Sequence, residues 1–293
     1  MKRVLTLIFL GLFGLIAPLV QAAAIPVVAS FSILGDVAKQ IGGDRIQVYT
    51  LIGADQDAHV YQLVAKDLRQ MRAAKLILLN GYGLESTALQ RAASQSGVPL
   101  AYAVQGISPK MMADDGHHHH SYDPHVWNDP TQMHIYARNI ANALIKVDPA
   151  GKAYYQNRLG SYEKQLNELH IWATKKFAAI PIANRKVLTG HDAFGYMAKQ
   201  YQISFIAPQG VSTNAEPSAR QVATIINQIR SQNIKAVFVE NIKDPKMIQR
   251  ISKETGVKIS GQLYSDALSK GSPAATYIDM FRYNVNALTA AMK

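Results

Sequence analysis

Asp148–Pro181, DPAGKAYYQNRLGSYEKQLNELHIWATKKFAAIP, decides how the rest of the chain is organised. Asp148-Pro149 has the form of an N-cap followed by proline at the first helical position, where the missing N–H costs nothing. Tyr155, Leu159, Tyr162, Leu166 and Leu169 then recur at alternating steps of four and three. That spacing lays one apolar stripe along a helix and predicts a long helix over 148–180, ended by Pro181.

On either side of it, short β-rich apolar runs alternate with helical patterns. Before it, strands are expected at Pro26–Phe31, Ile46–Leu51, Lys75–Asn80 and Pro99–Ala103. Helices are expected at Ile33–Ile41, Tyr61–Ala73, Leu84–Ser96 and Thr131–Lys146. After it, strands are expected at Lys186–Thr189, Ile203–Ile206, Ala236–Glu240 and Lys258–Gly261. The matching helices are Ala193–Tyr201, Pro217–Gln232, Pro245–Thr255 and Ser272–Met292, with Glu216 and Asp244 placed to start two of them. This rhythm predicts an α/β protein of two lobes, 25–147 and 181–293, each a parallel sheet flanked by helices. One stiff helix between lobes allows less closure than a pair of loop hinges.

The N-terminus reads as a secretory signal. Lys2 and Arg3 precede an uncharged stretch from Val4 to Val20, and Ala22, Ala23 and Ala24 follow. Cleavage is expected after Ala22 or Ala24, which makes residues 1–24 a signal peptide. The stretch is shorter than a bilayer span and is interrupted by Gly11, Gly14 and Pro18. The 293 residues contain no cysteine, so neither a disulfide framework nor a lipid-bearing thiol is expected, and the mature protein reads as freely diffusing in the periplasm. The formal net charge is +11. The basic residues are scattered, which describes a solvated surface rather than a nucleic-acid footprint, so no nucleic-acid partner is expected.

Nine histidines are present, four of them consecutive: His117, His118, His119 and His120. Three others have informative positions. His59 follows the second expected strand, His125 closes a longer loop before a helix, and His191 follows the first strand after the linking helix. Asp266 follows the last strand. Loops at the carboxyl ends of parallel strands converge on one crevice, and two of these residues come from each lobe. Three neutral imidazoles and one carboxylate form a good borderline donor set for Zn²⁺. Taken singly, each histidine is more simply a surface or hydrogen-bonded core residue. Asp57, Asp123, Asp192 and Asn128 stand beside the histidines and suit two roles. They either fix imidazole tautomers or serve turn and capping chemistry, the plainer reading for Asp123 and Asp192.

At these residues the chain resembles the metal-binding solute-binding proteins of bacterial ABC transporters, the class whose two lobes are joined by one rigid helix. Asp57-x-His59-x-Tyr61 and Asp123-Pro-His125-x-Trp127 match its first two ligand motifs. His191-x-Ala-Phe-x-Tyr-x-Ala-x-x-Tyr201 matches the third. Glu216-Pro-Ser, Val237-Phe-Val-Glu240-Asn241, and Tyr264-Ser-Asp266 with its Thr276-Tyr277 sequel agree as well. The resemblance covers nearly the whole mature chain. It implies His59, His125, His191 and Asp266 as ligands, a membrane permease as partner, a monomer, and possible loading by a metallochaperone. Manganese-binding relatives often have Glu at the third position, so His191 favours Zn²⁺, with Mn²⁺ or Fe²⁺ as the alternative cargo. Ala58 departs from the proline of many members, which puts the setting of the His59 loop in doubt. The run His117, His118, His119, His120 has two readings, a solvated loop without a defined role or an auxiliary metal-collecting loop such as zinc-binding relatives carry.

Two other classes are weighed against capture for transport. A zinc hydrolase keeps an open coordination position for water, whereas four protein ligands close the site, and no His-Glu-x-x-His or Gly-x-Ser-x-Gly signature occurs. A metal-sequestering protein or adhesin would use the same fold but calls for surface tethering.

Overall fold

A computed structural model describes residues 23–111 and 122–293. Two expectations fall on other residues. The signal segment through Ala22 lies outside the described residues, and so do His117, His118, His119 and His120, the expected auxiliary metal loop.

Two four-stranded parallel sheets carry the fold. In the first, β1 (Ile25–Phe31), β2 (Ile46–Ile52), β3 (Leu76–Leu79) and β4 (Leu100–Tyr102) lie in the order β2-β1-β3-β4. In the second, β5 (Lys186–Leu188), β6 (Ser204–Ile206), β7 (Ala236–Glu240) and β8 (Gly261–Leu263) repeat it as β6-β5-β7-β8. In each sheet the chain reverses its direction of travel beside the first strand, and the crevice outside such a switch point receives ligands. Helices α1 (Ser32–Gly42), α2 (Ala65–Ala73), α3 (Thr87–Gln95) and α4 (Met133–Val147) cover the first sheet; α6 (Gly195–Tyr201), α7 (Ala219–Ser231), α8 (Lys246–Thr255) and α9 (Tyr277–Ala291) cover the second.

Between them runs α5, 27 residues from Lys152 to Ala178. Its stripe buries Tyr155, Tyr162, Leu166 and Leu169, continued by Ala173 and Phe177, while Leu159 is only partly covered. It packs on α1 and α4 of one lobe and on α9 of the other. One apolar core therefore runs through both lobes, from Val27 to Met292, with a smaller cluster around Ile225, Val237 and Ile251 in the second lobe. Direct bonds also cross between lobes: Trp127 Nε1 donates to Ser265 O at 2.7 Å, Asn128 Nδ2 to Ala193 O at 2.9 Å, and Tyr196 Oη to Asp123 O at 3.0 Å. Rigid-body swing of one lobe would break this shared core. Among the described residues no helix is long and apolar enough to cross a membrane.

The expected elements are present, with corrections at their ends. Asp148 does not cap α5. A 3₁₀ turn, Pro149–Gly151, intervenes, and the Asp148 carboxylate instead accepts from Arg45 at 2.8 and 2.9 Å and from Tyr155 Oη at 2.7 Å. Helix α2 starts at Ala65, not Tyr61, because the Asp67 carboxylate accepts from both Val64 N and Tyr61 Oη and holds that turn open. Helix α7 is capped by Ser218, whose hydroxyl accepts from Gln221 N, rather than by Glu216. Helix α9 waits for the Thr276 cap. Strand β8 lies three residues beyond its expected start, with Gly261, Gln262 and Leu263 paired to Phe238, Val239 and Glu240; the alternating Val257 and Ile259 pack on the smaller cluster instead.

Candidate metal centre

His59, His125, His191 and Asp266 meet between the sheets, each offering one ligand atom, and these atoms all lie within 4.8 Å of one another. His59 Nε2 is 3.3 Å from His125 Nε2 and 3.2 Å from Asp266 Oδ2. His191 Nε2 is 3.2 Å from Asp266 Oδ2, and His125 Nε2 is 3.4 Å from Oδ1. Neither Asp266 oxygen makes an aligned hydrogen bond among the described residues despite these short separations. His59 Nε2 and His125 Nε2 are aligned with each other, while His191 Nε2 and both Asp266 oxygens are enclosed beside them without an aligned partner among the described residues, the state of polar atoms gathered at a cation site.

Each ligand has its own local support. His59 stands in the loop after β2, where its backbone N–H donates to Asp57 Oδ1 at 2.9 Å. That turn forms with Ala58 in the buried position before the histidine. His125 precedes a 3₁₀ turn, and both its backbone N–H (3.0 Å) and its Nδ1 (2.8 Å) meet Asp123 Oδ1. A carboxylate can only accept there, so Nδ1 carries a proton and Nε2 is the ring atom left to bind a cation once its own proton has gone. The Trp127 ring stands edge-on to His125, centroids 5.2 Å apart.

His191 follows β5, and its Nδ1 donates to Glu240 Oε2 at 2.5 Å. Glu240 is the last residue of β7, and its side chain is fully enclosed. Its Oε1 accepts from Gly190 N at 2.7 Å and His191 N at 3.0 Å, and its Oε2 also from Ser265 Oγ at 2.9 Å. Gly190 permits this approach, since a Cβ there would stand 3.0 Å from Glu240 Oε1. One carboxylate thus ties the His191 loop to the loop carrying Asp266.

The neighbouring residues sort differently from the plain expectation. Asp123 fixes the His125 tautomer besides ordering its turn. Asp57 serves the turn through Oδ1 and accepts from Thr213 Oγ1 of the other lobe through Oδ2 at 2.7 Å. Asn128 bonds backbone, not imidazole. Glu240 was not singled out as the His191 partner from sequence. Its signal is a charged residue ending an otherwise apolar strand, Ala236-Val-Phe-Val-Glu240, at the end of the sheet where the ligands gather.

The electrostatics are those of a cation site. Burial favours neutral imidazole, but at His125 the Asp266 charge and the Asp123 hydrogen bond outweigh it and push the ring up to about 9 in the absence of a cation. Burial likewise opposes charging His191, and Glu240 and Asp266 together still raise it well above the usual histidine range. Burial works against ionised Asp266 as well, yet His191 and His125 hold it well below the ordinary carboxylate value. Of the three enclosed carboxylates, Asp123 has Lys110 Nζ 3.6 Å from its Oδ2. The charges of Glu240 and Asp266 are balanced by two imidazolium rings or, equivalently, by one divalent cation that replaces their protons.

A cavity of about 420 Å³ lies on the other side of Glu240, lined in part by Val239, Lys243 and Met247. Its cations are already paired, Lys243 with Gln209, Lys246 with Asp244 and Arg250 with Glu254, and no ligand histidine lines it.

The chain is similar along its length to known metal-binding proteins. It is 28% identical over 292 residues to the metal ABC transporter substrate-binding lipoprotein SloC of Streptococcus mutans, covering 96% of this chain and 95% of that protein. To the manganese-binding lipoprotein MntA of Bacillus subtilis it is 34% identical over 277 residues, covering 91% and 89%. Among solved structures, the periplasmic zinc-binding protein TroA from Treponema pallidum superposes with a TM-score of 0.86 at 27% identity, over 92% of this chain and 99% of TroA. The family model of ZnuA, the periplasmic component A of the zinc-uptake complex, matches residues 27–291. The two sheets, the linking helix and that match agree: the chain belongs to the ZnuA family of periplasmic metal-binding proteins, which serve ABC transporters and are not enzymes.

Proposed function

We propose that this protein captures Zn²⁺ with high affinity through His59, His125, His191 and Asp266 and delivers it to the permease of an ABC transporter. The observation that carries the reading is the spacing of the ligand atoms. A tetrahedral ion with bonds of roughly 2.0–2.1 Å has edges of about 3.3 Å; His59 Nε2 to His125 Nε2, and His59 and His191 Nε2 to Asp266 Oδ2, are 3.2–3.3 Å, in a set whose ligand atoms all lie within 4.8 Å of one another. Three nitrogens and one oxygen suit zinc, whereas manganese prefers oxygen donors. Manganese is the second reading, favoured by the names of relatives such as MntA.

Capture is an exchange of water ligands for protein ligands, with no catalysed reaction. The Nε2 lone pairs and the Asp266 carboxylate displace hydration water, and the two imidazolium protons leave. Several relatives are named lipoproteins. For this chain the order of Lys2-Arg3, the uncharged stretch Val4–Val20 and Ala22–Ala24 supports a signal peptide cut after Ala22 or Ala24, and the reading takes the mature protein as a periplasmic monomer. The proposed lobes are 25–147 and 181–293, joined through 148–180. His117, His118, His119 and His120 are assigned an auxiliary collecting role on their sequence alone, and loading by a metallochaperone is compatible with the reading.

Chelator competition on metal-stripped protein tests the assignment, with Zn²⁺ and Mn²⁺ titrated side by side into the parent and His191→Ala. The reading expects tighter binding of Zn²⁺ by the parent and a loss of that preference in the variant. Tighter Mn²⁺ binding by the parent transfers the assignment to manganese, and no binding of either overturns it.

A further inference from the structure

His59 is the most accessible of the four ligands, 7% exposed against 1% or less for the others. The ion's way in and out is therefore past the His59 loop. That loop is held from the opposite lobe. Asp57 uses one carboxylate oxygen for the His59 backbone N–H and the other for Thr213 Oγ1 at 2.7 Å. Thr213 is buried between the exposed Ser212 and Asn214, so its side chain is turned inward from the β6–α7 connection. Lys243 Nζ, on the β7–α8 connection, grips the same strap through Thr213 O at 3.3 Å and Gln209 Oε1 at 3.0 Å. Gln209 in turn pairs across an isolated bridge with His191.

These contacts form one relay, from Lys243 through Thr213 and Asp57 to the backbone of His59. None of the three side chains is a ligand. On the reading that the four residues hold the cargo, we propose that Thr213 is a positioning residue that acts through Asp57 to hold the His59 loop closed, setting how fast the ion leaves. The loop keeps an independent tie when this contact is lost, because Asp55 N donates to Leu268 O at 2.9 Å and Asn241 Nδ2 to Asp55 Oδ1 at 3.0 Å. Thr213→Val therefore removes the hydroxyl without freeing the loop altogether.

The test is the Zn²⁺ dissociation rate of the full chain, measured by rapid mixing with excess chelator, for the parent, Thr213→Val, Thr213→Ser and Lys243→Met. A hydrogen bond to a carboxylate carries enough energy for Thr213→Val to speed release about tenfold or more. Thr213→Ser keeps the hydroxyl and stays near the parent rate. Lys243→Met speeds release in the same direction, and combined with Thr213→Val it adds less than the product of the two. An unchanged rate in Thr213→Val, or a fast rate in Thr213→Ser equal to that of Val, overturns the proposal. A parent that binds no Zn²⁺ instead defeats the capture reading beneath it.

Discussion

Glu240→Gln is the most informative substitution at the centre because it changes charge and donor pattern with little change in shape. In the parent, one oxygen accepts from His191 Nδ1 at 2.5 Å and the other from two backbone N–H groups at 2.7 and 3.0 Å. Glutamine has one accepting oxygen and one donating amide. If its oxygen stays with the backbone, the amide faces Nδ1, and the imidazole proton moves to Nε2, the atom that must bind metal. If its oxygen faces His191, the amide is driven against two N–H donors and a buried pair goes unsatisfied. Loss of such a partner costs 10- to 100-fold in metal affinity, or about 1.4 to 2.7 kcal/mol. The assay is chelator competition with Zn²⁺ at constant pH, with thermal unfolding of the stripped variant to establish that it folds. A folded Glu240→Gln whose affinity stays within about twofold of the parent refutes the argument that this carboxylate fixes the His191 tautomer.

Four other expectations follow. With His125 pushed up to about 9 and His191 raised as well, Zn²⁺ uptake at pH 7 releases about two protons, and affinity weakens as pH falls; release of none, read from the buffer dependence of the binding heat, contradicts this. For the stripped protein the sign reverses: a raised histidine stabilises the fold fully below its unfolded value near 6.5 and ceases to do so as pH rises through about 9, so His125 alone removes about 3 kcal/mol across that window, visible as a falling Tm that bound Zn²⁺ offsets. Asp148→Ala frees Arg45 and Tyr155 together, lowers stability by roughly 2–3 kcal/mol in a denaturant titration, and leaves Zn²⁺ affinity unchanged. Deleting His117, His118, His119 and His120 together leaves the affinity of the cleft site intact, and a weakened site assigns those residues to it.

The architecture was readable from sequence wherever one periodicity dominated. Ala236–Glu240 coincides with its strand, and the α5 stripe follows the four-three spacing, because burial on one face dictates residue type at each step. The ends of elements were less readable. Asp148 has the look of a cap, but Arg45, distant in sequence, competes for its carboxylate. Val257 and Ile259 alternate like a strand because they pack on the smaller cluster, and alternation does not distinguish that from ladder pairing. The four site residues stood out as loop histidines and an aspartate after strands, and the structure brings all four together. Asp123, read as a turn former, also holds the His125 tautomer. The link between Glu240 and His191 spans 49 positions, and no local pattern encodes it. Nor does any local pattern show that α9 and α5 make the two lobes share one core.

On the proposed reading, three imidazole nitrogens and one carboxylate oxygen enclose a single cargo ion. X-ray absorption at the zinc edge, on stripped protein reloaded with one equivalent of Zn²⁺, reads that shell. Such a site gives four light scatterers at about 2.0–2.1 Å, with outer-shell scattering from three imidazoles that falls to two in His191→Ala. A six-coordinate shell, or an imidazole signal unchanged by that substitution, contradicts it.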